Sequence, residues 1–180
     1  MLTRFSILAG CLAFAACASI QQTDTSQLPP GFYGTLVDND VGAINEASWA
    51  LGSPARTYNN PVEALRAAIA VEYLAGELNT NPRWAAMSPI TKIQMLQARA
   101  EFRRALGIRP DVPSQAVVNG EVWAVWHLER GDVAAAQQVL SGPIFSLPPQ
   151  QILQVLHELP TLPAARAATA AAELEEFRNG

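Results

Sequence analysis

The chain has few of the residues that carry covalent or metal chemistry. Of its 180 residues only two are cysteine and two are histidine. His127 and His157 belong to no His-Glu-x-x-His motif and to no spaced Cys/His ligand set, so we expect no metal site and no cofactor. The P-loop, the dinucleotide-binding glycine pattern and the Gly-x-Ser-x-Gly elbow are also absent. We assign no catalytic residues and do not expect an enzyme.

Charged residues are few, and acidic residues outnumber basic ones. They make up 16% of the chain, with 12 Lys and Arg against 16 Asp and Glu and a net charge of −4. Nucleic-acid binding needs a concentrated basic surface, so we expect no nucleic-acid partner. Hydrophobic residues make up 49%, which is enough to build the core of one domain of this length.

Residues 1–16 have the composition of an export signal. Arg4 is followed by 12 apolar or small residues, from Phe5 to Ala16, without a charge. This run is shorter than the roughly 20 residues that a permanent membrane-spanning helix needs. We therefore expect a cleaved signal peptide over residues 1–16.

The run ends in Phe14-Ala15-Ala16-Cys17, which resembles the lipobox of bacterial lipoproteins, with Phe where Leu is usual. The resemblance implies that Cys17 becomes the lipidated N-terminus of an outer membrane lipoprotein facing the periplasm, held by more than one acyl chain. A similar set of letters ends at Cys11 but leaves too short an apolar run. The alternative is ordinary cleavage after Ala15 or Ala18, which would give a periplasmic or secreted protein.

The next segment has the composition of a linker. Residues 17–30 are rich in Gln, Thr and Ser and end in Pro29-Pro30. We expect the lipidated Cys17 and a flexible tether over residues 17–30, followed by a single helical domain over residues 31–180.

The body of the chain carries residues that typically start and end helices, and it lacks the alternating apolar and polar pattern of strands. Asn60-Pro61-Val62-Glu63 offers an N-cap, a proline at the first helical position and an acid at the third. Ser88-Pro89 predicts a second helix start, and Gly107 predicts the end of that helix. Such signals predict an all-α protein of about six helices, an irregular bundle or stacked hairpins. The helix over Val117 to Leu128 is apolar on nearly all sides and is expected to be central.

Part of this region resembles a known helical repeat. The pattern Ala-x3-Phe-x2-Ala-x4-Pro that begins at Ala98 is similar to the second helix of a tetratricopeptide repeat. The turn at Leu128 to Asp132 is similar to the one between the two helices of such a repeat. The fragments are not separated by the repeat period of about 34 residues. The resemblance therefore implies a helical hairpin within residues 95–140.

Acidic side chains offer no catalytic pair. Glu63 and Glu72 are expected on the solvent face of their helix. The Asp38-Asn39-Asp40 stretch lacks the later positions of a calcium loop, and Asp40 is expected to cap the next helix.

Two features are candidates for a binding surface. Lys92, Arg99 and Arg103 fall within about 40° of one another on a helix and predict a basic ridge that faces solvent. Trp84 lies in a loop-like stretch and is expected to be exposed, whereas Trp123 and Trp126 are expected to anchor the core. The candidate binding surface therefore consists of Trp84, Lys92, Arg99 and Arg103.

These patterns favour an exported, lipid-anchored helical protein of the cell envelope that acts as a protein-interaction adaptor. Its expected partners are the membrane, through the anchor, and another envelope protein. The alternative is a periplasmic small-molecule or lipid-binding helical domain with an apolar pocket near Trp84 and Trp123. An adaptor should expose an apolar groove, whereas a pocket binder should enclose a cavity.

Overall fold

The computed structural model describes residues 23–179, and within this range the fold is all-α, as the sequence predicts. The signal peptide and Cys17 lie outside the described residues. The predicted count of about six helices is low, because the described range contains eight helices, α1 to α8, and one 3-10 turn over Pro82–Trp84. No helix of this range is both long and apolar enough to cross a membrane. In chain order the helices are Asn39–Gly52, Pro54–Thr57, Pro61–Thr80, Pro89–Leu106, Ser114–Glu129, Val133–Leu140, Pro149–His157 and Pro163–Asn179.

Local capping signals determine several helix boundaries. The Asn60 side chain accepts a hydrogen bond from the Glu63 amide at 3.2 Å, and Ser88 Oγ caps the first turn of α4, also at 3.2 Å. The helix α4 ends at Gly107, which has a left-handed φ of 66°. A Cβ at Gly107 would lie 2.3 Å from Leu147 Cγ, so this C-cap has both a conformational and a steric need for glycine. The predicted boundaries of α4 are confirmed.

The central helix is α3, and the prediction that α5 is central is wrong. In α3, 13 of 20 residues are buried, and the helix packs against α1, α4, α5 and α7. Many of the buried residues are alanine, which lets neighbouring helices approach closely. By contrast α5 buries only the face that carries Val117, Glu121 and Ala124, which recur at helical spacing.

The remaining large contacts involve α8 and the neighbouring helices α5 and α6. The C-terminal helix, α8, packs against α1 and α4. The helices α5 and α6 pack together as a hairpin whose connection contains Gly131 in a left-handed conformation. Within the region of the tetratricopeptide resemblance, α4 packs mainly on α3 and α8.

The C-terminal part of the predicted tether is bound to the domain. Asp24 accepts a hydrogen bond from the Ser114 amide at 2.6 Å, and Gln27 exchanges two hydrogen bonds with Gln115, at 2.7 and 3.1 Å. A Cβ at Gly76 would lie 2.8 Å from the Asp24 carbonyl oxygen, so α3 allows this segment to approach only through a glycine. We call residues 24–28 the N-terminal strap.

Trp84 is buried, and the expectation that it is exposed is wrong. Its side chain is 6% exposed, and its indole N–H donates to Asp40 at 3.0 Å. Asp40 also accepts from the Tyr73 hydroxyl, so it does not cap α1. The cap is Asp38, which accepts the amides of Asp40 and Val41 at 3.0 Å.

We expect Trp84→Ala to lower the free energy of unfolding by about 3–5 kcal/mol, the usual cost of removing a large buried ring. Trp126→Ala should cost about 1 kcal/mol or less, because Trp126 is 42% exposed. Urea unfolding of both variants measures the difference. Equal losses of unfolding free energy would contradict the assignment of Trp84 to the interior and Trp126 to the surface.

Candidate functional site

The predicted basic ridge is not a solvent-facing surface. Arg103 points inward and binds the buried carboxylate of Glu72 through Nε at 3.0 Å and Nη2 at 2.5 Å. Arg99 is half-buried and donates to the Asp24 carbonyl at 3.0 Å, while Lys92 is only partly exposed. The periodicity of α4 could not reveal this arrangement, because the acid that draws Arg103 inward lies on α3. With Arg103 and Trp84 both buried, the four predicted residues form no common surface.

A second acid, Glu121 of α5, is buried beside this pair. Glu121 is only 1% exposed, and its Oε2 has no hydrogen-bond partner. Burial, assisted by the nearby charge of Glu72, raises the pKa of Glu121 well above the ordinary value for glutamate. Sequence reasoning missed this acid, because a glutamate in a helix is usually placed on the solvent face.

Trp123 and Trp126 lie on the outer face of α5, so the expectation that they anchor the core is wrong. Trp123 is 57% exposed and Trp126 is 42% exposed. The inner face of α5 carries smaller apolar residues and Glu121, which leaves both rings on the opposite side. Exposed tryptophans that stand together are unusual on a monomer surface and mark a binding site more often than an isolated apolar residue does.

The two tryptophans line a groove with a volume of about 470 Å³ between α5, the start of α3 and the segment that follows the N-terminal strap. The groove is mostly apolar but includes one cation and one anion. We call it the aromatic groove, and its lining residues are Pro29, Phe32, Arg66, Val122, Trp123, Val125, Trp126 and Glu129.

The rings on the α5 side of the groove are arranged edge to face. The centroids of Trp123 and Trp126 are 5.8 Å apart, with an interplanar angle of 73°. The Arg130 guanidinium stacks on Trp126 at 3.6 Å from the ring centroid, and its Nη1 donates to the Trp126 carbonyl at 2.9 Å. One face of Trp126 is therefore covered by the protein itself, and Trp123 is the more accessible ring.

Arg66 supplies the positive charge of the groove. Its guanidinium stacks on Phe32 at 5.0 Å, donates through Nη2 to the Phe32 carbonyl at 3.2 Å, and donates through Nε to Glu46 at 3.3 Å. The remaining nitrogen, Nη1, lies 3.7 Å from Glu129 Oε1, which is too long for a hydrogen bond. Glu129 is exposed and Arg66 is held on three sides, so a ligand oxygen can approach Nη1 by displacing the Glu129 carboxylate.

The acids beside Arg66 do not all carry full charge at neutral pH. Burial and the adjacent carboxylate of Glu46 raise the pKa of Glu63 to about 7. Glu63 was expected on the solvent face, but it is only half-exposed, and its Oε1 has no hydrogen-bond partner. The charge next to the groove therefore changes within the physiological pH range.

Neither histidine is among the residues that line the aromatic groove. His127 Nδ1 is buried without a hydrogen bond and lies 3.8 Å from Asp132. His157 Nδ1 is 3.0 Å from Asn59 Oδ1. Residues 23–179 contain no group of three His, Cys, Asp or Glu side chains that could hold a metal ion. The chemistry that the groove offers is non-covalent binding by rings, one guanidinium and one carboxylate.

We expect the free energy of unfolding to fall as the pH rises above about 4.5, the ordinary pKa of glutamate. A raised pKa means that the native state keeps a proton that the unfolded state releases, and the stabilisation is lost as the pH rises to the native value. Glu63→Gln should flatten this fall up to about pH 7, and Glu121→Gln should flatten it from pH 4.5 upward. Urea unfolding over a pH series checks both; unchanged slopes in both variants would contradict the assignment.

The chain was compared with protein families, curated proteins and solved structures. No protein family model matches the chain, no curated protein matches it, and no solved structure matches it. The features that bear on function are the aromatic groove, the exposed surfaces and the residue pattern at the N-terminus.

Proposed function

We propose that this protein is an exported, lipid-anchored adaptor of the cell envelope, which binds a segment of another envelope protein in the aromatic groove. The anchor would be the lipid on Cys17, and the helical domain would face the periplasm from the outer membrane. The observation that carries the adaptor proposal is the pair of exposed tryptophans of α5, set next to Arg66 in one open groove.

The residue types in the groove support protein recognition. Tryptophan and arginine are the residues that contribute most often to binding energy at protein interfaces, because they combine a large apolar area with directed hydrogen bonds. Trp123 supplies an accessible ring face, and Arg66 supplies a donor whose position is fixed by Phe32 and Glu46. Because these contacts hold Arg66 before any ligand arrives, little side-chain entropy would be lost on binding.

The openness of the groove favours an adaptor over a small-molecule binder. Its volume of about 470 Å³ lies within the range of small-molecule sites, about 300–1,000 Å³. Small-molecule sites, however, enclose most of their ligand, whereas the rings of Trp123 and Trp126 are open to solvent. A peptide segment fits better, with an apolar side chain against Trp123 and a carbonyl or carboxylate oxygen on Arg66.

The position of the groove is consistent with a tethered domain. Pro29 lines the groove and immediately follows the N-terminal strap. The predicted lipid on Cys17 is therefore separated from the groove by 11 residues, from Ala18 to Leu28. The described chain begins at the strap, where Asp24 contacts Ser114 at the start of α5, and it reaches the groove at Pro29.

A photo-reactive benzoylphenylalanine in place of Val122, which lines the groove, tests the adaptor proposal in living cells. We expect one discrete cross-linked envelope protein, identified by mass spectrometry. Adding Trp123→Ala and Trp126→Ala should abolish this product, whereas Trp49→Ala should preserve it. Trp49 is a matched control, because it is an equally exposed tryptophan that also stacks with an arginine, but it lies on α1.

The other outcomes of this experiment separate the competing functions. A product heavier than the protein by only a few hundred daltons would indicate a small-molecule or lipid ligand. An absence of any product that depends on the tryptophans would contradict binding at this groove.

Intact mass and membrane fractionation of the protein from a Gram-negative host test the anchor. We expect the wild-type chain to gain acyl mass and to sediment with membranes, and Cys17→Ser to lose both properties. Cys11→Ser is the control and should behave as the wild type does, because Cys11 lies within the predicted signal peptide. An unacylated, non-sedimenting product that begins near Ala15 or Ala18 would overturn the anchor and favour a periplasmic or secreted domain.

A further inference from the structure

The outer face of α8 carries an apolar seam that nothing in the described chain covers. Five residues of this helix are all exposed and are spaced alternately by four and three positions. Phe177 is 82% exposed, and Leu174 is also a large exposed apolar residue. We call this set the α8 seam, and its members are Pro163, Ala167, Ala170, Leu174 and Phe177.

The seam has the periodicity of a two-helix coiled coil. Alternating steps of four and three give a repeat of about 3.5 residues, which keeps one stripe of side chains facing a partner helix. The opposite face of α8 already packs into its own domain through Ala165, Ala168 and Ala172. The seam is therefore a second face, independent of the packing that folds the helix.

We propose that the α8 seam binds the α8 seam of a second copy of this chain as a parallel two-helix coiled coil. In such a pair each seam residue meets its own counterpart, so Leu174 packs on Leu174 and Phe177 on Phe177. The two alanines in the middle let the helix backbones approach closely. The contact is isologous and closes as a two-fold dimer.

The charges beside the seam favour this partner and this direction. In the heptad that the seam defines, Glu173 and Arg178 occupy flanking positions that face each other across a parallel pair. The dimer would therefore contain two Glu173–Arg178 ion pairs, one on each side. Both residues are exposed, and neither forms an ion pair with another described residue.

The antiparallel alternative is less complementary. One antiparallel register brings Arg166 near Glu173 of the other copy, but it carries Phe177 past the end of the partner seam. The register that keeps Phe177 in contact brings the two Glu173 side chains together, and like charges repel. Only the parallel arrangement places Leu174 and Phe177 against the partner seam and, in the same register, brings opposite charges together.

The surface next to the seam offers room for the partner's ring. A cavity of about 350 Å³ lies along α8 and is lined by Leu174 and Arg178, together with Ala86 and Ser88 from the segment before α4. In a parallel coiled coil, Phe177 of the second copy points between Leu174 and Arg178. The Phe177 ring thus has a concave surface to enter.

Disulfide cross-linking of the full chain in isolated cell envelopes tests the dimer. We expect oxidation to give a covalent dimer of Ala167→Cys and also of Leu174→Cys, because a parallel pair brings both positions next to their counterparts. Gln154→Cys, an exposed position on α7, measures random collision, and the wild-type chain measures any contribution of Cys11 and Cys17.

Charge reversal then tests the register. In the Ala167→Cys chain, Glu173→Arg should reduce the dimer to the level of the Gln154→Cys control, and adding Arg178→Glu should restore it. A merely structural effect of the first substitution would not be reversed by the second.

Three results would overturn the inference. The first is no dimer above the collision control. The second is a dimer at only one of Ala167 and Leu174, which indicates an antiparallel pair. The third is a dimer that does not respond to charge reversal. The inference does not depend on the aromatic groove, which lies on α5. Loss of the groove cross-link with retention of the dimer would therefore separate the failure of the proposed function from the failure of this inference.

Discussion

The buried ion pair between Glu72 and Arg103 joins α3 to α4 in the interior of the domain. Both side chains are withdrawn from water, so each charge must be matched by the other and by hydrogen bonds. Ser114 Oγ donates to Glu72 at 2.6 Å, and Asp24 lies 3.9 Å from Arg103. One polar cluster therefore joins α3, α4, the start of α5 and the N-terminal strap, four segments that are distant in sequence. Losing either charged partner would leave the other charge buried and unmatched.

This cluster also determines which face of α5 is exposed. Ser114, the first residue of α5, donates its hydroxyl hydrogen to Glu72 and its amide hydrogen to the Asp24 carboxylate. The Asp24 carboxylate thus caps the helix, because the preceding residue, Pro113, makes no side-chain cap. With its start fixed in this way, α5 turns Glu121 inward and its two tryptophans outward. The same strap leads directly to Pro29 and Phe32, so one N-terminal segment contacts both the polar cluster in the interior and the aromatic groove at the surface.

The aromatic groove and the α8 seam lie on different helices and have different chemistry. The aromatic groove combines rings with a guanidinium and a carboxylate, as interfaces between separate proteins often do. The α8 seam is a narrow stripe of small residues that ends in Leu174 and Phe177, and it has the 3.5-residue repeat of a coiled-coil seam. On our proposals the lipid anchor would hold the domain at the membrane and the seam would pair two copies. Each dimer would then present two grooves, and paired grooves on one membrane increase the effective concentration for a partner with two binding segments.

Local sequence specified the helical class and several helix boundaries, because proline, asparagine, serine and glycine act on the backbone within a few residues of their own position. The Asn60 cap, the Ser88 cap and the Gly107 C-cap follow from such local rules. It did not determine which helix is central, that Trp84 is buried, or that Arg103 and Glu121 point inward. Each of those outcomes depends on a partner far along the chain, such as Asp40 for Trp84 and Glu72 for Arg103. The apolar residues of α5 gave no means of choosing between its two faces, because both carry large hydrophobic side chains. Trp123 and Trp126 lie outside as a result of long-range packing, since Glu72 and the strap hold the start of α5 through contacts that no local pattern contains.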